Sequence, residues 1–277
     1  MPYRLRKNEP VAKGIKRLAA EQIDYARDQL AQKDGAEKAI HEARKSVKKT
    51  RALLRLVGYG AEDKRLRNIG RALSEVRDAA AMIQVFDALV TKKNESFPGI
   101  RRGLVEGMQS VDAEKAVASA LVGLDAIRVR VNHWPIEDAL VDGFEISYRR
   151  GRKALNRATK NGIAQNYHDF RKRVKDHWYH MRLLGSLAAR TASLKELETW
   201  LGEHHNLAVL QEKVGDSEST KLFLALAASE QQQLARNSIS LAKRLYQQKP
   251  KQFVHTLIPK KQPAKENRTA HVSKRSA

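Results

Sequence analysis

Two stretches 127 residues apart carry the same unusual charge pattern, and this duplication is the strongest constraint on the fold. "HEARKSVKKTRALLR" (His41 to Arg55) holds six basic side chains and a single carboxylate, Glu42. "HDFRKRVKDHWYHMR" (His168 to Arg182) repeats its opening, so that both stretches read H-[ED]-x-R-K-x-V-K. Apolar positions follow the same offset: Ile40, Ala43, Val47, Leu54 and Val57 fall on Tyr167, Phe170, Val174, Met181 and Leu184. The next element aligns at an offset of 128, placing "LSEVRDAAAM" (Leu73 to Met82) on "LGEHHNLAVL" (Leu201 to Leu210). Two elements matched in one order imply an internally duplicated unit, with its seam near Asn132 to Pro135.

The unit is helical. Glycine and proline are sparse, β-branched runs are few, and apolar residues recur at spacings of three and four. The periodicity predicts helices over 10–32, 36–57, 62–92, 99–109, 112–131, 136–161, 164–187, 193–213 and 217–247. Repeat 1 then spans about 10–131 and repeat 2 about 136–247, within a domain of residues 1–248. Residues 249–277 have three prolines, scattered charge and no period, and read as a disordered basic tail.

The net charge of +22 makes a polyanion the expected partner. The tail carries +7 of it, leaving +15 on residues 1–248, so the excess belongs to the folded part. No run of about 18 apolar residues is present, which argues against a membrane span. The first ten residues have no apolar signal-peptide region, and the expected location is cytoplasmic. Cysteine is absent, which excludes disulfides, thiolate nucleophiles and cysteine-ligated zinc.

On a helix, His41, Arg44, Lys48, Arg51 and Arg55 step by three or four and form one stripe beside the apolar face. A solvated helix normally intersperses Glu with Lys at i,i+4, whereas here the neighbours are Lys or Arg. The stripe is therefore read as an anion site, with Lys49 as a further ligand. In the second copy His168, Arg171, Lys175 and Arg182 hold their places, and Lys45 and Lys172 sit on the flank of the two ridges. Trp178 stands where Arg51 would be and Asp176 where Lys49 would be, so this ridge reads as the weaker one. Trp178 and Tyr179 read as core packing. Protonation of His41 and His168 on phosphate predicts tighter binding as pH falls towards 6. Arg149, Arg152 and Lys153 form a secondary cluster, and Arg77 and Asp78 a local ion pair or caps.

These residues resemble the CHAD family, the conserved histidine α-helical domain. Its first-repeat pattern is met by His41, Arg44, Lys48, Lys49, Arg51 and Arg55, and its second by His168, Arg171, Lys175 and Tyr179. The family's following helix is matched by "LSEVRD", and by "LGEHHN" with Asn206 where the acid usually stands. The likeness covers about residues 10–247. It implies an all-α fold of two four-helix bundles related by a pseudo-two-fold, with a basic groove between them. It also implies binding of inorganic polyphosphate and association with polyphosphate granules, Arg149, Arg152 and Lys153 lining the groove.

Polyphosphate suits the residues on physical grounds, because it offers repeating charge and no bases to read. Arg can grip two phosphate oxygens and Lys acts as a point charge. Aromatic residues make up only 6% of the chain, so stacking platforms for single-stranded nucleic acid are poorly supplied. No phosphate-binding glycine loop, H-E-x-x-H pair or G-x-S-x-G elbow is present. The expectation is a binding protein without metal or cofactor, and not an enzyme. The main alternative is nonspecific nucleic-acid binding aided by the tail, and the third is a polyphosphate-cleaving enzyme.

Overall fold

The computed structural model describes residues 3–32, 36–107, 112–185 and 187–257, without the side chains of residues 36 and 75–80. The described residues form ten α-helices and no strand. They are α1 (Val11–Ala31), α2 (Ala36–Leu56), α3 (Asp63–Lys93), α4 (Pro98–Glu106), α5 (Ala113–Arg130), α6 (Leu140–Lys160), α7 (Ala164–Leu184), α8 (Ala188–Val214), α9 (Lys221–Leu245) and α10 (Pro250–Leu257).

Local chemistry sets several ends. The Asp112 carboxylate accepts from the Lys115 backbone N–H and starts α5. Asn94 and Gly185 take left-handed conformations that close α3 and α7. The seam holds a one-turn 3-10 segment at Val131–His133, and Trp134 is buried there against Tyr59. Pro135 and the turn closed by Ala139 N–H on the Glu137 carbonyl delay α6 to Leu140, four residues beyond the periodicity estimate.

Contacts group the helices in two rings of four. In one, α1, α2, α3 and α5 pack in sequence around a shared interior, and in the other α6, α7, α8 and α9 do so. The rings join where α2 meets α6 and α7, and one continuous core runs from Tyr3 to Val254. At roughly 46 Å, α3 is long enough to leave its own ring. Its distal residues Met82, Phe86 and Leu89 form a second core with Leu207 and Leu210 of α8 and Phe223 of α9.

One expectation is corrected. Residues 250–257, placed in a structureless tail from composition, form α10 and lie on α6. Phe253 stacks on Tyr148 at 4.0 Å and 13°, and both rings are buried. The period of a single two-turn helix is too short to read. The remaining tail, 258–277, lies outside the described residues.

The α2–α6 contact is close because Gly143 has no side chain: a Cβ there would fall on the Leu56 carbonyl. Gly143→Ala should therefore cost about 1–3 kcal/mol in urea unfolding through forced separation of the helices. Gly99→Ala, whose Cβ meets open space in α4, is the control and should not lower the midpoint.

Candidate functional site

The two basic stripes lie on helices that touch. α7 crosses the C-terminal half of α2, where His180 Nε2 lies 2.8 Å from the Ala52 carbonyl and Nδ1 2.9 Å from Ser147 Oγ. A carbonyl only accepts, so Nε2 carries the proton and Nδ1 accepts from the serine. Burial keeps this imidazole below its usual pKa, so it stays neutral.

On one side of the crossing the ridge arginines are committed to carboxylates. Arg55 donates to both oxygens of Asp176 on α7 at 2.9 and 3.1 Å, and Arg173 reaches the same group at 3.4 Å. Asp63 at the start of α3 accepts from Arg51 at 2.9 Å, from Arg67 at 3.2 Å and from Arg55. Asp63 and Asp176 are each 8% exposed, so these are partly desolvated, charge-assisted bonds. Asp176 thus has a role that the ridge alignment could not reveal: it is the buried counter-charge that ties the second copy to the first.

On the other side the cations are less fully matched. Lys45 reaches its own helix's Glu42 at 3.2 Å. Lys49 is half-buried, and burial first, then Arg182 and Lys45, lower its ammonium to about 8 against the pull of Glu42. Arg182 of α7 and Lys49 of α2 both lie over the ring of Tyr3, at 5.6 and 5.7 Å from its centre. Arg182 also lies 5.2 Å from the Trp178 ring and Lys195 of α8 lies 5.1 Å from it. Tyr179 is buried as expected, whereas Trp178 is only half-buried and works as a rest for two cations.

Glu198 of α8 organises the second ridge. It is 3% exposed and accepts from Lys175 at 2.7 Å, from Lys195 at 2.9 Å and from Arg171 at 3.4 Å. Burial opposes its ionisation, but Lys175, then Lys195 and Arg171, outweigh that and hold it at about 2. The matched arginines also occupy matched places on the following helix. Arg44 donates to Ser74 Oγ, while the Arg171 guanidinium lies over Gly202, where a Cβ would come within 3.0 Å. Ser74 and Gly202 are themselves related by the offset of 128.

Other candidates fall elsewhere or carry a different character. His41 is exposed and Lys48 half-buried on α2, and Lys172 of α7 is exposed beside Asp169. His168 stacks on His205 at 4.0 Å, and burial, then His205, Lys172 and Arg171, hold it at about 4. In the ligand-free protein it is therefore neutral at pH 6. Adjacent His204 faces Tyr167 instead, as two neighbours on a helix must diverge. Arg149 pairs with Glu145 on its own helix, Arg152 donates to the Gln248 carbonyl at the α9–α10 turn, and Lys153 is exposed. The side chains of Arg77 and Asp78 lie outside the described residues. Tyr3 and Lys195 join this cluster and escaped the sequence reading: neither lies on a repeated stripe, though Lys195 and Glu198 share a helix face at i,i+3.

Among the described residues no group of three His, Asp or Glu side chains is placed to hold a metal ion, and no helix is long and apolar enough to cross a membrane. An all-helical chain with two cation-bearing helices in contact is the class that these features define. The CHAD domain model matches residues 15–215, and the chain belongs to that family. No curated protein matches it.

Glu198 carries a pH dependence whose sign follows from its depressed pKa. Its contribution to stability is complete above its usual value near 4.5 and disappears as pH falls towards 2. The shift corresponds to about 3 kcal/mol. In denaturant unfolding from pH 6 to 2, the gap between wild type and Glu198→Gln should narrow by about that amount across this window.

Proposed function

We propose that the chain binds inorganic polyphosphate between α2 and α7, as a pseudo-symmetric pair of four-helix units with a basic groove, and that it cleaves nothing. The observation that carries this reading is the meeting of Lys45 and Lys49 from the first copy with Arg182 from the second. Membership of the CHAD family supports it, because polyphosphate binding is what that resemblance implies. The pseudo-two-fold is supported by the matched placement of Arg44 at Ser74 and Arg171 at Gly202.

The chemistry fits a flexible polyanion. Lys45, Lys49, Lys172, Lys175, Arg171, Arg182 and Lys195 lie on α2, α7 and the adjoining face of α8, with Glu198, Glu42 and Asp169 as their carboxylates. Arriving phosphates offset the burial and the cationic neighbours that lower Lys49 and favour its ammonium form. They also compete with Glu198 for Lys175 and Lys195. Arg51 and Arg55, by contrast, act as scaffold: removing either would strand part of the Asp63–Asp176 network. His41, Arg44, Lys48 and His168 complete the ligand set, His41 and His168 as donors near the N-terminal ends of α2 and α7. In this reading the protein works in the cytoplasm at polyphosphate granules.

A direct test is competition between long-chain polyphosphate and duplex DNA, at two salt concentrations, for wild type and Lys45→Ala/Lys49→Ala/Lys172→Ala. Polyphosphate should win by orders of magnitude in wild type. Three lost contacts should flatten the log–log salt dependence by roughly two, at about 0.7–0.9 per phosphate. Equal affinity for DNA, unaffected by the substitutions, would favour generic nucleic-acid binding. Release of orthophosphate by purified protein would revive an enzyme.

Lys49 gives this binding a pH signature. Its charge is present below about 8 and lost above, so polyphosphate affinity should fall as pH rises from 7 to 9. Titration calorimetry in that range should also show proton uptake on binding, and Lys49→Arg should abolish both effects.

A further inference from the structure

The N-terminal segment before α1 lies outside the family match at residues 15–215, yet it enters the site. Tyr3 is 5% exposed and inserts where α2 meets α7. Its hydroxyl donates to the Lys49 carbonyl at 3.1 Å, fixing it to α2. Its ring packs edge-on against Tyr179 of α7 at 6.1 Å and 68°. Two residues on, the Leu5 backbone N–H donates to the Leu183 carbonyl at 3.0 Å, fixing the segment to α7 as well.

The segment is also tied down behind. Arg17 of α1 donates to both Glu9 oxygens at 2.7 Å and to the Arg4 carbonyl at 3.2 Å. The Arg17 hydrogen bond is the largest influence on Glu9 and holds its carboxyl at about 2, so the clasp stays ionised at ordinary pH. Residues 3–9 therefore form a strap with three anchors, on α1, α2 and α7. What the strap delivers is one aromatic ring that two cations from different copies of the unit share.

We infer that Tyr3 is a positioning residue for the polyanion site: the strap holds its ring between α2 and α7 so that Lys49 and Arg182 stay together in the absence of ligand. This rests on the polyphosphate reading and extends it to a segment that the repeated stripes do not include. The physical reason is that two like charges brought together with partial loss of water repel, and the electron-rich face of a phenol ring offsets part of that cost. A leucine in the same space would fill the volume without offering that face.

Lys49 is a usable reporter because its charged neighbours are identified on each element around it: Arg182 on α7, Lys45 and Glu42 on its own helix, and the Tyr3 ring on the strap. Without the attraction of the ring face, repulsion from Arg182 and Lys45 turns the Lys49 ammonium towards water, where its pKa moves back towards the ordinary value.

The test compares wild type, Tyr3→Phe and Tyr3→Leu for binding of long-chain polyphosphate at pH 7, 8 and 9. Tyr3→Phe keeps the ring and should stay within about twofold of wild type. Tyr3→Leu should weaken binding at pH 7 by about fivefold, equivalent to roughly 1 kcal/mol, and should flatten the fall in affinity between pH 7 and 9. A uniform loss at all three pH values would assign Tyr3 a purely structural role and overturn the inference, as would unchanged binding by Tyr3→Leu. Should Tyr3→Leu fail to fold, Glu9→Gln loosens the strap from outside the core. It should then show a smaller loss with the same flattening, and no change would overturn the inference. If wild type binds no polyphosphate, the functional reading falls first and the inference with it; wild-type binding with an indifferent Tyr3 removes the inference alone.

Discussion

Repulsion among the cations of α2 and α7 is the constraint that the rest of the molecule answers. Two helices rich in Lys and Arg cannot be pressed together unless buried carboxylates divide the charge between them. Asp63 and Asp176 do this on one side of the crossing, where they hold Arg51, Arg55, Arg67 and Arg173. Glu198 does it on the other, with Arg171, Lys175 and Lys195. Truncating one partner of such a buried pair usually costs more than the pair contributes, because the remaining charge stays desolvated. The networks therefore set which cations are held by buried carboxylates.

Much of the fold was legible because helical period survives in sequence. The nine expected helices all correspond to observed ones, several to within one or two residues at each end. The misses have local causes. α8 begins at Ala188, five residues ahead of the expectation, after Leu187 takes a left-handed conformation. α10 is too short to show a period, and its docking depends on the buried surface of Tyr148. The site was legible to the extent that it lies on the repeated stripes. Tyr3 and Lys195 lie off them, and only tertiary packing brings either to α7. The apparent flaw at Asp176 was a matter of perspective, since a carboxylate in a basic stripe looks like a weakness until its partner across the crossing, Arg55, is seen.

The division of labour between the copies follows from these contacts. Arg55 of α2 reaches across the crossing to Asp176 and Arg51 turns to Asp63, while Lys49 shares the Tyr3 ring with Arg182 of α7. In the second, Trp178 replaces a cation yet collects two, Arg182 and Lys195. An alignment of stripes counts that position as lost charge, whereas in space the indole keeps charge near it. The two matched stretches thus differ in how they present cations, while each is followed by a helix that receives its arginine.

We propose that the cations where α2 meets α7, together with Lys195, act as one polyanion site. Amine-reactive footprinting at pH 7.5, read by mass spectrometry with and without long-chain polyphosphate, tests it most directly. Lys49 should label readily in the free protein, because burial and its cationic neighbours leave more of it neutral than an ordinary lysine. Polyphosphate should protect Lys45, Lys49, Lys172, Lys175 and Lys195 together, and leave the exposed Lys213 and Lys221 of α8 and α9 unchanged. Protection spread evenly over all lysines, or confined to those beyond residue 257, would contradict the account.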